Sequence, residues 1–137
     1  MLMAEFATAV KYRLPVKVVV LKNNTLGQIK WEQMVFLGNP EYGCELQPID
    51  FASFARACDG TGFTIEDPAS CGAILDEALA ATGPVLIEAV VDPYEPPMPP
   101  RVTADQALKF AESLARGEPN RNKIVLTTLV DRVRELV

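Results

Sequence analysis

The run Val16 to Leu21, VKVVVL, constrains this chain more than any other stretch, because four valines and a leucine with only Lys17 charged describe a strand covered on both faces. Strands of that kind belong to parallel sheets, whose neighbours are joined by crossovers long enough to hold a helix. Pro84 to Val91 is a second such run, and Gly62 to Ile65 can form a short strand. Helical patterns lie around them. Residues 1 to 13 place Leu2, Phe6, Ala9 and Val10 on one face of a helix that is expected to begin before residue 1 and is ended by Pro15. Asp50 can cap a helix running to about Cys58. Asp67-Pro68 has the form of an N-cap followed by proline at the first helical position; Cys71, Ile74, Leu75 and Ala78 then share an apolar face, and Gly83 sits where that helix stops. Successive helix-to-strand steps imply right-handed βαβ crossovers, hence an α/β fold with a mainly parallel sheet.

Two stretches break this rhythm. Residues 37 to 49 hold Gly38, Pro40, Gly43 and Pro48 without periodicity, and a loop of that length is often tied to function. After Asp92 comes Tyr-Glu-Pro-Pro-Met-Pro-Pro, an extended arm that cannot pair in the middle of a sheet, so the chain is expected to divide into residues 1–92 and 93–137. Beyond the arm, Thr103 and Gln106 have capping-box spacing ahead of a helix to about Arg116. Val125, Leu129, Val133 and Leu136 describe a last amphipathic helix. Arm and helices are expected to pack against other domains.

With 137 residues, 49% apolar and 23% charged, the chain can bury a sizeable core. Thirteen basic against eighteen acidic residues give a net charge of −5 with no basic stripe, which argues against a nucleic-acid partner. No apolar run approaches the roughly 20 residues of a bilayer crossing, and Met1-Leu2-Met3 has neither a basic flank nor a cleavage signal, so a cytoplasmic location without membrane attachment is expected. Cys44, Cys58 and Cys71 have no CxxC spacing and are expected as buried free thiols. The absence of histidine leaves few soft metal ligands and removes every Ser-His or Cys-His nucleophile.

The stretch that can carry chemistry is Asn23-Asn24-Thr25-Leu26-Gly27, at the carboxyl end of the first strand and ahead of a short helix from about Leu26 to Phe36. By residue type alone it reads first as an ordinary turn, since Asn and Gly are turn residues. Its position favours function, since open α/β sheets bind ligands in loops at the carboxyl ends of their strands. A hard cation such as Mg²⁺ takes oxygen donors and keeps substrate phosphates in its shell; an Asn side-chain oxygen and a turn carbonyl suit it. Ile29 and Glu32 lie three apart on one face of the helix that follows, while Trp31 and Met34 are left to the core.

The run MLMAEFATAVKYRLPVKVVVLKNNTLG resembles the second half of the thiamine diphosphate signature of pyruvate oxidases and acetolactate synthases, which opens with Gly-Asp-Gly and closes on Asn-Asn. FTIEDPASCGAILDEAL, GPVLIEAVVDPYEPPMPP and LARGEPNRNKI continue it, in order and spacing, into the carboxyl-terminal region of pyruvate-oxidase-like enzymes. The resemblance implies a three-layer α/β/α thiamine-diphosphate-binding fold truncated at its N-terminus, with the first strand and the Gly-Asp-Gly loop expected a few residues before Met1. It implies thiamine diphosphate and Mg²⁺ as cofactors, with Asn23 as the side-chain metal ligand and Thr25 as the carbonyl donor. That alignment puts Lys22-Asn23 where the family has Asn-Asn; aligning the visible pair instead makes Asn24 the ligand, at the expense of a gap. Leu26 and Gly27 would border the diphosphate, with Gly27 letting the backbone approach, and Ile29 and Glu32 would look toward the thiazolium.

Glu32 matches an acidic position near the reacting carbon, where a carboxylate can steer protons or stabilise a cationic intermediate. Its other reading is a solvated glutamate paired with Lys30 or another neighbour. The parent is implied to be a 2-oxo acid (pyruvate) decarboxylating enzyme of pyruvate oxidase type. An acetolactate-synthase-like carboligase is the second reading, and a non-catalytic binding or assembly module the third. The pyrimidine-binding and middle domains, FAD where the parent uses it, and the partner subunits of a dimer or tetramer would all lie outside this chain. By itself the chain is expected to be inactive.

Overall fold

The computed structural model describes residues 3–95 and 102–134. The chain divides into two compact units, one of residues up to Asn23 together with Pro48–Val91, the other of Asn24–Gln47 together with residues from Asp92 onward. One limit of the first unit falls at Val91. The stretch Asn24–Gln47, however, groups with the C-terminal helices and not with the sheet.

In the first unit the elements are α1 (Glu5–Lys11), β1 (Lys17–Lys22), α3 (Phe51–Ala57), β2 (Thr61–Ile65), α4 (Cys71–Ala80) and β3 (Val85–Val90), with α2 of the second unit (Gly27–Leu37) intervening in sequence. The three strands form a parallel sheet in the order β1-β3-β2. Side chains alternate along each strand, so β3 feeds two cores. Val85 and Ile87 pack with Ile65 and Ala78 under α4, joined by Phe63, Ile74 and Leu75. Leu86 packs with Phe6 of α1 and Ala55 of α3 on the opposite face. Helices on both faces make this a three-layer α/β/α arrangement, as the alternating pattern requires.

The caps explain where the helices start. Asp50 accepts the Ser53 N–H at 2.7 Å, and Asp67 accepts the Ala69 N–H at 2.9 Å, with Pro68 opening a 3-10 turn that runs into α4. Helix α4 stops when Ala81 turns extended, so Gly83 lies in the connection to β3 and is not the cap. Gly62 serves another purpose: a Cβ there would strike the Ala52 backbone, so glycine is what lets α3 lie close on β2.

The expectation that the first strand is covered on both faces is corrected. Val18, Val19 and Leu21 are 39%, 55% and 71% exposed. Among the described residues β1 is an edge strand that pairs with β3 alone. The doubly covered strand is β3, where Val85 through Glu88 are all buried. Beside β1 opens an apolar cleft of about 430 Å³ lined by Phe6, Ala9, Val18, Val20, Phe54 and Leu86, among others.

The second unit contains α2, α5 (Ala104–Ala115) and α6 (Arg121–Arg134). Trp31, Met34 and Ile124 form its core with Tyr94, Phe110 and Leu114, so Trp31 and Met34 are packing residues. Gly38 ends α2 in the left-handed conformation at φ 65°, and Thr103 with Gln106 makes the reciprocal capping box of α5. Among the described side chains of α6 the buried position is Ile124, while Val125 and Leu129 are 41% and 59% exposed. The expected stripe is therefore one residue out of phase with the buried one. The side chains of Val133 and Leu136, and the proline arm from Pro96 to Pro100, lie outside the described residues.

Candidate functional site

The polar loop begins where β1 ends. The Val91 N–H donates to the Lys22 carbonyl at 3.1 Å, closing the sheet at that residue, and Asn23 follows, half-buried. The chain passes from the first unit into the second at Asn24, an exposed residue held at φ 54°. Asparagine tolerates that left-handed conformation better than most residues, so Asn24 has a backbone reason to be what it is. Thr25 then forms an isolated antiparallel bridge with Glu45. The bridge bonds are made by the neighbours, Leu26 N–H to the Cys44 carbonyl at 2.8 Å and Leu46 N–H to the Asn24 carbonyl at 2.9 Å. In such a pair the bridging residue's own peptide groups face away from its partner. The Thr25 hydroxyl donates to the Cys44 carbonyl at 3.1 Å.

Helix α2 starts at Gly27. Its N-cap, Leu26, makes no side-chain capping bond, and no acidic residue stands in its first turn. The N-cap residue thus supplies no capping side chain, and the turn carries no carboxylate that would repel an anion, which is the chemistry of a phosphate-binding helix end. Ile29 and Glu32, three apart on α2, are both exposed. The Lys30 pairing offered for Glu32 is corrected. Gln28 donates to the Glu32 carboxylate at 3.2 Å, one turn away, while Lys30 is buried to 2% exposure and lies 2.7 Å from Glu41.

By type alone, the amide oxygen of Asn23 in the first unit, and the Thr25 carbonyl and the helix N-terminus at Gly27 in the second, are the oxygen and N–H groups that a hard cation and a diphosphate take. Among the described residues no group of three or more His, Cys, Asp or Glu side chains could hold a metal. Likewise no helix among them is long and apolar enough to cross a membrane. The three cysteines are free; Cys44 is buried, while Cys58 and Cys71 are only half-buried, because each lies at a helix terminus.

Two buried polar clusters have no counterpart in the sequence reading. In the first unit Glu88, 3% exposed, accepts from Lys22 Nζ at 3.2 Å, Phe51 N–H at 2.9 Å and Thr64 Oγ1 at 2.9 Å. In the second unit Glu41 pairs with Lys30 and accepts from Asn120 at 2.7 Å, while Glu118 takes the Glu41 N–H at 2.8 Å. Tyr94 lies between two lysines, with Lys30 Nζ 5.2 Å and Lys123 Nζ 4.8 Å from its ring centroid. A charge inside an otherwise apolar run, Glu88 in VLIEAV, was the signal that could have marked the first cluster; Lys30 stands among Gln28, Glu32 and Gln33 and gives no such signal.

A solved thiamine diphosphate-dependent 4-hydroxybenzoylformate decarboxylase from Rhodococcus jostii RHA1 matches over 66% of this chain and 17% of its own, with a TM-score of 0.61 and 24% identity. The fold is that of the thiamine diphosphate-dependent enzymes. Residues 1–89 match the family of the thiamine pyrophosphate enzymes, C-terminal TPP binding domain, and the chain belongs to that family. The Bacillus subtilis protein YdaP, named for thiamine pyrophosphate, is 34% identical over 136 residues, covering 99% of this chain and 23% of YdaP. The pyruvate oxidase of Lactiplantibacillus plantarum is 32% identical over 116 residues, covering 83% of this chain and 19% of that enzyme. Acetolactate synthases match as well. The chain spans less than a quarter of the length of these two relatives.

Proposed function

We propose that these residues form the diphosphate- and Mg²⁺-binding part of a larger cytoplasmic enzyme that decarboxylates a 2-oxo acid, pyruvate in the first instance, by pyruvate-oxidase-type chemistry. The observation that carries the reading is the start of α2. A helix N-terminus with no capping side chain and no acidic first turn follows directly on an Asn-Asn-Thr loop at the carboxyl end of a parallel strand. Asn23 would give the cation its side-chain oxygen and Thr25 its carbonyl; Leu26, Gly27 and Ile29 would border the cofactor. Thiamine diphosphate, when bound, supplies the electron sink for loss of CO₂. Glu32, held by Gln28 on the exposed face of α2, would hold or move a proton near the reacting carbon. The remaining ligands, the pyrimidine site and the partner subunits come from outside these 137 residues, which by themselves are inactive.

The wide cover of the pyruvate oxidase match, 83% of the chain against 72% for the acetolactate synthase catalytic subunit of Saccharomyces cerevisiae, favours the oxidase over a carboligase. Incubating the full-length enzyme with pyruvate, thiamine diphosphate, Mg²⁺ and an artificial two-electron acceptor separates them. CO₂ release with matching acceptor reduction supports the oxidase, whereas acetolactate formation without acceptor reduction supports the carboligase. Failure to bind the cofactor at all would leave a binding or assembly module.

A further inference from the structure

Glu88 is a buried carboxylate to which the proposed reaction gives no part. It stands on the central strand, on the α1 and α3 side of the sheet, in register with Val20 of β1 and Thr64 of β2. One carboxylate oxygen takes the Thr64 hydroxyl; the other takes both Lys22 Nζ and the Phe51 N–H, the first amide of α3. One side chain thus joins both neighbouring strands and a helix start, near the carboxyl ends of the strands. Stability alone is a poor reason for such an arrangement, since a buried ion pair seldom outperforms well-packed apolar side chains. What the cluster does fix is Lys22. Its ammonium is held by Glu88 and its carbonyl by the Val91 N–H, and the next residue is Asn23.

We propose that Glu88 is a positioning residue for the metal site: through Lys22 it fixes the backbone from which Asn23 presents its amide oxygen to a divalent cation. This rests on the reading of Asn23 as the metal ligand. Beyond Asn23 the chain turns at once through the left-handed Asn24, and the Asn23 backbone continues directly from the last residue of β1. Among the described residues β1 pairs with β3 alone, and without Glu88 the Lys22 side chain would extend to solvent and loosen that end of the strand. Groups that orient a metal ligand typically change metal affinity by about 10- to 100-fold when removed.

Two measurements test this. In the 137-residue chain, hydrogen exchange of Glu88→Gln should show the Val91 amide losing protection by about tenfold or more while the Ile87 amide, in the middle of β3, keeps its own; a parallel loss at both would show a general stabilising role, no loss at either would show that Glu88 does not hold this end of β1, and each would overturn the proposal. In the full-length enzyme, the Mg²⁺ concentration that half-saturates thiamine diphosphate binding should rise about tenfold in Glu88→Gln and again in Lys22→Gln. Placing Glu88→Gln in an Asn23→Ala background should add nothing further, because the effect runs through Asn23. An Asn23→Ala variant with an unchanged Mg²⁺ requirement would overturn the ligand assignment itself. A defect in Asn23→Ala with Glu88→Gln at wild-type affinity, or with the two losses adding, would overturn the positioning role alone. If Glu88→Gln does not fold, Lys22→Gln carries the same expectations.

Discussion

The Thr25 hydroxyl donates to the Cys44 carbonyl at 3.1 Å, and the same carbonyl accepts the Leu26 N–H at 2.8 Å. The side chain of Thr25 therefore has a structural task, pinning the 44–46 segment against the loop, which is separate from any role of its carbonyl. Thr25→Val should cost the second unit about 1 kcal/mol, while Thr25→Ser should be near neutral. Hydrogen exchange at the Leu26 and Leu46 amides reads the effect directly. Unchanged exchange in Thr25→Val would show that the hydroxyl holds nothing.

The Lys30 and Glu41 pair is nearly dry, with side chains 2% and 10% exposed, and removing one partner strands the other's charge. Glu41→Gln should lower the unfolding free energy by about 3 kcal/mol. The double variant Lys30→Met with Glu41→Gln should recover part of that loss, since neither charge then remains. Urea denaturation of the four proteins of the cycle measures the coupling.

Acid should weaken the start of α3. The Ser53 hydroxyl and N–H hold the Asp50 carboxyl below its ordinary value of 3.8, so its contribution to folding is complete above about that pH and fades as pH falls through the lower folded-state value. The gap in melting temperature between wild type and Asp50→Ala should be constant above pH 4 and shrink below it. A gap that instead shrinks between pH 5 and 7 would assign the effect to another group.

Periodicity and caps made most of the fold legible. Asp50, Asp67-Pro68 and the Thr103 and Gln106 box mark their helix starts because capping is local chemistry that tertiary context seldom overrides. Burial was less legible. Val18, Val19 and Leu21 have the composition of a covered strand, yet composition does not say which strand of a sheet is the edge. In α6 a register one residue away from the expected stripe is buried, because Ile124 is the side chain that meets Trp31 and Met34. The candidate loop could be found from its place after a strand, but Glu88 and Lys30 could not be paired, since their partners are 66 and 11 residues distant in sequence.

Glu32 should separate turnover from binding. Glu32→Gln keeps the shape and its place beside Gln28 but removes the charge. In the full-length enzyme the expected result is a lower kcat with the thiamine diphosphate dissociation constant nearly unchanged. Equal kcat across the working pH range would make Glu32 a bystander on a solvated helix face.

The metal-ligand assignment is tested most directly by comparing two asparagines in the full-length enzyme. Asn24 sits at φ 54°, where glycine is at ease, so Asn24→Gly removes the side-chain amide without straining the turn. Asn23→Ala removes the amide oxygen assigned to the cation. Calorimetric titration of Mg²⁺ in the presence of saturating thiamine diphosphate should show affinity lost by about tenfold or more in Asn23→Ala, with cofactor affinity falling alongside it, and near wild-type binding in Asn24→Gly. The opposite pattern, an intact Asn23→Ala and a metal-deficient Asn24→Gly, would contradict the assignment and move the ligand to Asn24.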